Sequence, residues 1–496
     1  MLGPDFEEPD VRWLEAWHTD LYGQTGEAER SGETDLRFWW RAFDDPVLDR
    51  LIETAREENP SLRIAGLRIL ESRAVLGIAE SALYPQSQQV SGSAAWTHTR
   101  QSGGAAPDRS DTFTAYQAGA AVGWELDFWG RFRRGIESAD AAFFASMANY
   151  QDVHVLLSAQ VADLYFAYRT TLLRIGIARK NAALQKRSLE ITERLFASGQ
   201  QAELDLQQAR TQYLATLSTI PDLEITRTQT RNALAAVLGR PPGELPELAG
   251  LEGLLPSVDP RIVADIPARL LMRRPDIRTA AWQVAAQSAQ IGVAEADLYP
   301  SVSLFGTVGW SGTTIDGAPD TTTGAVGPGF TWNVLDYGRL RNNVRVQDAR
   351  LQQAIESFQN TVLQAAREID DAAIGVVKTR EQQGILAESV RAAERSLVLA
   401  NTRYQEGYAD FQRVLDAQRA LFSQAERETV NRGRHVSAVI GLYKALGGGW
   451  TPVEIERIVP EETRETMRER TNWGDLLTAP LPPQAPDPSS GPGTPP

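Results

Sequence analysis

This 496-residue chain has no cysteine, which excludes disulfides and thiolate metal sites. It has four histidines, His18, His98, His154 and His435, scattered with no metal-ligand spacing. No apolar run reaches about 18 residues, so no helix is expected to cross a membrane. Cations are in deficit. Lys and Arg number 50 against 64 Asp and Glu, and a net charge of −14 is the wrong sign for binding nucleic acid. General solubility and a solvated, cation-attracting interior both fit that charge. The opening Met1-Leu2-Gly3-Pro4-Asp5-Phe6 lacks the basic and apolar stretches of an export signal, so we expect a mature form or a start further upstream. No motif for a nucleophile, a paired acid and base, or a cofactor is found, so neither enzyme activity nor a cofactor is expected.

What is present is a duplication. Ala79-Glu80-Ser81-Ala82-Leu83-Tyr84-Pro85 returns as Ala294-Glu295-Ala296-Asp297-Leu298-Tyr299-Pro300. The stretch Val122-Gly123-Trp124-Glu125-Leu126-Asp127-Phe128-Trp129-Gly130-Arg131 returns, more loosely, from Phe330 to Arg339. Pro60 to Pro85 and Pro275 to Pro300 are both 25 residues. Gly130 to Gly199 and Gly338 to Gly407 are both 69, and Gly199 to Gly239 and Gly407 to Gly447 are both 40. One long unit is used twice, with element lengths set by geometry. That replaces the several ordinary domains which length alone suggests.

Each unit changes period along its length. Pro60 and Pro85 bound a helix, as do Pro275 and Pro300. Beyond Pro85, Val90, Gly92, Ala94 and Trp96 alternate with small or polar residues, as do Tyr116, Ala118, Ala120, Val122, Trp124 and Leu126. In the second unit, Val302, Leu304, Gly306, Val308 and Trp310 form one such face, and Val326, Pro328, Phe330, Trp332 and Val334 its partner. These read as two hairpins of strands about 10 to 14 residues long. Their aromatics, Trp96, Trp124, Trp310 and Trp332, gather toward one end. A membrane barrel needs that pattern, although the edge of a soluble β-sandwich remains open as an alternative. Four strands cannot close a barrel, so a membrane barrel would be shared between chains.

A proline-free stretch follows each hairpin, with Ile136, Phe143, Tyr150, Leu157 and Leu164 at intervals of seven, and later Ile355, Val362, Ile369 and Val376. A helix of 69 residues is about 100 Å long, which fits a coiled-coil assembly or an isolated rod. The return segments of 40 and 25 residues nearly match it, so two helices stacked end to end should lie antiparallel beside each long one. The expected divisions are an N-terminal and equatorial segment 1–59, repeat 1 over 60–239 (hairpin about 86–127, tip near 199), a linker 240–274, repeat 2 over 275–447 (hairpin about 301–335, tip near 407), and a tail 448–496. The tail is expected to be disordered from about 461, given its Pro-Gly-rich end.

The chain resembles the TolC-like outer-membrane efflux proteins, in particular the NodT/OprM-like lipoprotein branch. The resemblance rests on Gly3-Pro4-Asp5-Phe6 with Pro9, Phe38-Trp39-Trp40 with Asp45-Pro46, Leu270-Leu271-Met272-Arg273-Arg274-Pro275-Asp276-Ile277-Arg278, Arg403-Tyr404-Gln405-Glu406-Gly407, Val414-Leu415-Asp416-Ala417-Gln418-Arg419, and Tyr443-Lys444-Ala445-Leu446-Gly447-Gly448-Gly449-Trp450. It implies an α+β membrane protein in which a homotrimer closes a 12-stranded outer-membrane barrel, four strands per chain, continuous with a periplasmic α-helical barrel. Implied partners are outer-membrane lipid, a periplasmic adaptor (membrane fusion protein) and an inner-membrane pump of the resistance-nodulation-division class. The implied role is a passive efflux conduit for small molecules such as drugs, in the Gram-negative outer membrane. A duct for type I protein secretion and a soluble coiled-coil scaffold are the alternatives.

Position by position, the resemblance makes Tyr404 and Asp205 a polar latch and Asp416 a ring that narrows the bore, with Arg419 one turn on. Leu204 and Ala409 depart from that latch, which often has a threonine and an arginine there. The hairpin tips, Gly199 and Gly407 with Phe196, Gln200, Glu406 and Tyr408, would meet the adaptor. The branch carries an acylated cysteine before Gly-Pro-Asp, where this sequence has Met1-Leu2.

Overall fold

The computed structural model describes residues 1–14, 35–101, 109–251, 255–256, 268–315 and 321–482. A short 3-10 helix, Leu36–Phe43, leads into α1 (Pro46–Glu58) and α2 (Pro60–Ser81). Strands β1 (Ser87–Gln101) and β2 (Arg109–Leu126) follow, then α3 (Arg131–Ala197) and α4 (Glu203–Val237). The second unit repeats the order as α5 (Pro275–Ala296), β3 (Ser301–Gly312), β4 (Thr321–Thr331), α6 (Arg339–Gln405) and α7 (Phe411–Ala445). The chain ends in α8 (Ile455–Ile458), α9 (Glu461–Arg470) and a 3-10 turn, Gly474–Leu477.

Both long helices run 67 residues, about 100 Å. Their heptad positions go inward: Phe143, Tyr150, Leu157, Val362, Ile369 and Val376 are buried. Beside α3, α4 and α2 form one column, and the joint between them is specific. Asn59 caps α2 by accepting from the Leu62 N–H at 3.0 Å. Its amide also donates to the last carbonyl of α4, Val237 O, at 2.7 Å. One side chain thus satisfies orphan groups of two helix ends. Gly239 turns at φ 72°, where an added Cβ would lie 2.5 Å from Glu58 O. At the other joint Arg274, ahead of α5, donates to the last carbonyl of α7, Ala445 O, at 2.7 Å. Its guanidinium also binds Asp276 at 2.8 Å and Glu368 at 2.9 Å.

The helical columns lie in the order α2/α4, α3, α5/α7, α6. The strands follow the same order, β1-β2-β3-β4, all antiparallel. The outer edges are therefore β1 with α2/α4 and β4 with α6. Exposed apolar side chains lie on both outer columns, including Ile64, Val75, Ile78 and Leu214 on one and Val346, Leu363, Ile385 and Val398 on the other.

Register puts most of the large apolar residues on one face, because residues directly opposite in an antiparallel pair share a face, with Phe113 and Phe305 as exceptions on the other. Val90 faces Ala120, which faces Val308; Trp124 faces Leu304, which faces Pro328; Val302 faces Phe330. The other face pairs Ser91 with Gly119 and Gly309, and Gln117 with Ser93 and Ser311. Three expectations need correction. The strands of the first hairpin are longer than expected, at 15 and 18 residues. β4 stops at Thr331, short of Trp332 and Val334, because the ladder runs out where Thr331 meets Ser301 and the preceding Pro300 has no N–H to donate. The aromatics also lie at both ends of the sheet. Trp124 and Trp332 donate to Leu83 O (3.0 Å) and Leu298 O (3.1 Å) at the helix-joined end. Toward the far end, Trp310 lies about 20 Å and Trp96 about 33 Å along the strands from Trp124, at ~3.3 Å per residue.

The main core sits at mid-height, where the short elements wrap the columns. Trp39 is fully buried and stacks on Tyr443, centroids 5.3 Å apart. Arg56 lies over the Trp40 ring at 4.5 Å and donates to Gly449 O. The tail is ordered further than expected. In α9 only Met467 is apolar, so its composition reads as solvated, yet Met467 and Arg464 pack inward and Leu477 is fully buried. Arg73 on α2 donates to Leu476 O (3.2 Å) and Ala479 O (2.8 Å), and Ile458 O lies directly on Gly66 of α2. The expectation of disorder thus fails for 461–482, and residues 483–496 lie outside the described residues.

Beside the Arg274 joint, a cavity of about 100 Å³ is lined by Asp152, Asp276, Glu368 and Lys444 among others. Burial, and then the Asp276 charge, push the Asp152 carboxyl up from 3.8 to about 6, while Arg274 and Lys444 pull the other way. A raised pKa means that the folded state holds an extra proton between those values. The associated stability is full below 3.8 and lost as pH rises through about 6. Asp152→Asn is therefore expected to flatten the pH dependence of thermal unfolding in detergent between pH 4 and 6. At neutral pH it should stabilise by on the order of 1–3 kcal/mol. A variant whose slope matches the parent's would show that Asp152 ionises freely.

Candidate functional site at the hairpin tips

The two ends of the helical columns farthest from the sheet are built alike. Gly199 (φ 74°) and Gly407 (φ 79°) adopt the left-handed conformation just past α3 and α6. The Gln200 N–H reaches back to Leu195 O at 2.8 Å and the Tyr408 N–H to Arg403 O at 2.8 Å, closing each helix end with a glycine-centred cap. No atom lies within 4 Å of a Cβ added at either glycine, so backbone conformation alone selects the residue. Phe196, Gln200, Glu406 and Tyr408 are exposed, Tyr408 at 81%.

Just inside the tips, Leu189, Ala209, Phe411, Val414 and Leu415 form a small apolar cluster that joins α3, α4 and α7. The Tyr404 ring packs on Phe411 at 5.3 Å. Its hydroxyl donates to Gln201 Oε1 at 3.2 Å, and Gln201 Nε2 donates to Asp205 Oδ2 at 2.7 Å. Tyr404 and Asp205 are thus joined through Gln201. Sequence reading missed this residue, and its one local signal is the i,i+4 spacing to Asp205. An amide suits the role because it accepts from a phenol and donates to a carboxylate at once. Burial, then the Asp205 charge, raise the Tyr404 phenol's pKa, which keeps it a donor at neutral pH.

Two turns further in, Arg419 Nη1 pairs with Asp416 Oδ1 at 3.2 Å, both side chains about half exposed. As an i,i+3 surface pair this is worth a few tenths of a kcal/mol. Arg419 Nε also donates to Gln212 Oε1 on α4 at 2.9 Å, so the residue ties two helices. Beneath it runs a buried polar seam. Buried Asn181, Gln185 and Thr192 and half-buried Ser188 lie on α3, with buried Gln212 and Thr216 on α4 and Gln418 on α7, and Asn181 meets Thr216 at 3.4 Å. Gln418 Nε2 donates to Ser188 Oγ at 2.9 Å, while the Gln185 amide is buried without a partner among the described residues. The tips are held by exchangeable hydrogen bonds and a thin apolar cluster, unlike the aromatic-rich centre.

Residues 51–240 and 266–448 match the family model described as outer membrane efflux protein. The chain belongs to the outer membrane efflux protein family. Among curated relatives, the pyoverdine export outer membrane protein OpmQ of Pseudomonas putida is 32% identical over 83% of this chain and 88% of its own. The toluene efflux pump outer membrane protein TtgI of Pseudomonas putida is 30% identical over 91% and 95%. The solved structure of the outer-membrane channel OprN superposes with a TM-score of 0.81 at 32% identity, covering 90% of this chain and 99% of that one.

Within this efflux-family fold, the tip cluster should be a separately melting unit. Phe411→Ala removes its central ring, a change that costs about 3–5 kcal/mol in a packed core. Amides over 400–415 are expected to exchange at least tenfold faster in hydrogen–deuterium exchange, with those around Trp39 unchanged. Equal acceleration at both places would show a single cooperative unit.

Proposed function

We propose that three copies of this chain form the outer-membrane channel of a tripartite efflux system, a passive conduit that carries small molecules out of a Gram-negative cell. The observation that carries this reading is the single amphipathic sheet. It is apolar on one face, mainly small and polar on the other, and open at both edges, and it is joined to columns about 100 Å long. A bilayer tolerates no unpaired strand edge. Pairing β4 of one copy with β1 of the next removes all edges at once and gives 12 strands in the closed ring. Aromatic residues at both ends of the apolar face support two interfacial belts.

The helical columns then form a tube through the periplasm. An adaptor docks on the exposed tips around Gly199 and Gly407, and an inner-membrane pump of the resistance-nodulation-division class supplies the energy. The named relatives belong to pyoverdine export and to a toluene efflux pump, as expected of a tube that imposes little chemistry on its cargo. Leu2 N–H donates to Trp129 O at 3.1 Å and buried Arg134 holds Leu2 O and Gly3 O, so the residue before Gly3 sits at the sheet–helix junction.

The tip contacts act as the gate in this reading. Tyr404, Gln201 and Asp205 hold the α6–α7 hairpin to the α3–α4 hairpin, and adaptor contacts shift a two-state equilibrium toward the open tube. Three Asp416 carboxylates around the bore favour cations. Gln201→Ala is expected to raise single-channel conductance in planar bilayers severalfold, and Asp416→Ala to raise conductance and lower the cation preference. Parental values in both variants would sink the gate assignment while leaving the conduit standing.

A further inference from the structure

One helix packs on another twice in a closed ring of duplicated chains: once inside each chain and once between chains. The inside version is visible. At the sheet–helix junction Trp129 stacks on Tyr299 with ring centroids 4.7 Å apart, and its indole donates to Pro300 O at 2.9 Å. One turn along, Gly292 of α5 receives α3. A Cβ added at Gly292 would lie 2.8 Å from Arg134 Cγ and 2.6 Å from Leu2 O. Further on, Gln290 Nε2 donates to Ser138 Oγ at 2.8 Å.

The internal repeat maps each of these residues onto an outer edge. The Gly77-Ile78-Ala79-Glu80 stretch of α2 aligns with Gly292-Val293-Ala294-Glu295 of α5, so Tyr84, Gly77 and Val75 correspond to Tyr299, Gly292 and Gln290. Trp129, Arg134 and Ser138 correspond to Tyr337, Asn342 and Val346 at the start of α6. Among the described residues, none of these mates meets its counterpart. Tyr337 is 98% exposed and Tyr84 70%; Val75 is 50% exposed and Val346 46%. Gly77 is a mid-helix glycine, destabilising wherever nothing requires it, and no atom lies within 4 Å of a Cβ added there. Where the inner contact has the polar pair Gln290–Ser138, the outer positions are two valines, which suits a surface that another copy covers.

We infer that α6 of one copy seats on α2 of the next with Asn342 over Gly77, flanked by Tyr337 against Tyr84 and Val346 against Val75. This rests on the trimeric reading above and deepens it, since it fixes which residues meet and in what register. The contact is heterologous and closes by rotation, as a ring requires.

The absence of cysteine makes the test clean. Gly77→Cys combined with Asn342→Cys, oxidised in membranes, is expected to give dimer and trimer bands in denaturing gels that collapse to monomer on reduction. Each single variant should give none. Neither should Arg68→Cys with Asn342→Cys, whose α2 position lies nine residues, about 13 Å, along the helix. Should the disulfide pair fail to assemble, Val75→Cys with Val346→Cys and a short bismaleimide probes the same seam. Native mass is measured on the same samples. A trimer without crosslinks in both pairs overturns the seating and spares the trimer; a monomer overturns both.

Discussion

Two helices must run as one beside each 67-residue partner, and the joints that allow this organise the molecule. A helix end leaves carbonyls unpaired, and the next helix start leaves N–H groups unpaired. Asn59 settles both at one joint, and Arg274 bridges the other while drawing in Asp276 and Glu368. Because the joints lie at mid-height, the short 3-10 segment, α1 and the C-terminal elements can gather there, and Trp39, Tyr443 and Leu477 become buried parts of one core.

Stability is consequently graded along the long axis. The middle is aromatic and tightly closed. Toward the tips the interior becomes a seam of Gln, Asn, Ser and Thr side chains with a small cluster around Phe411. Hydrogen bonds between such side chains can be exchanged for others or for water at little net cost, whereas apolar burial cannot. A segment that has to open is best built that way, and elements that move are drawn from the least stable parts of a fold.

The opposite end obeys a different demand. The sheet buries neither face within the chain, and its register exposes Val90, Val308, Val326 and Phe330 together. Such a surface is stable only in lipid or against other protein. The same incompleteness appears in the outer helical columns, where exposed Val75 and Val346 have buried or paired counterparts in the inner contact. The chain is one part of a closed object, and the duplication supplies the template for how the parts join.

Much of this was legible from order and spacing. Helix lengths followed from the distances between Gly130, Gly199, Gly338 and Gly407, because a left-handed glycine and a proline act on their own neighbours and leave a local mark. Strand faces followed from alternation, and the tip turns from two glycines. Other features needed the folded chain. Gln201 joins Tyr404 to Asp205 across two helices, α9 folds on Met467 although its composition looks solvated, and β4 ends where Pro300 leaves its partner without a donor. In each case the deciding partner lies far away in sequence, and a residue's own neighbours carry no record of it. Period and length are properties of a single helix or strand, so the sequence by itself determined the elements and their repetition. Which side chains meet is a property of how the columns pack, and only the tertiary structure decided that.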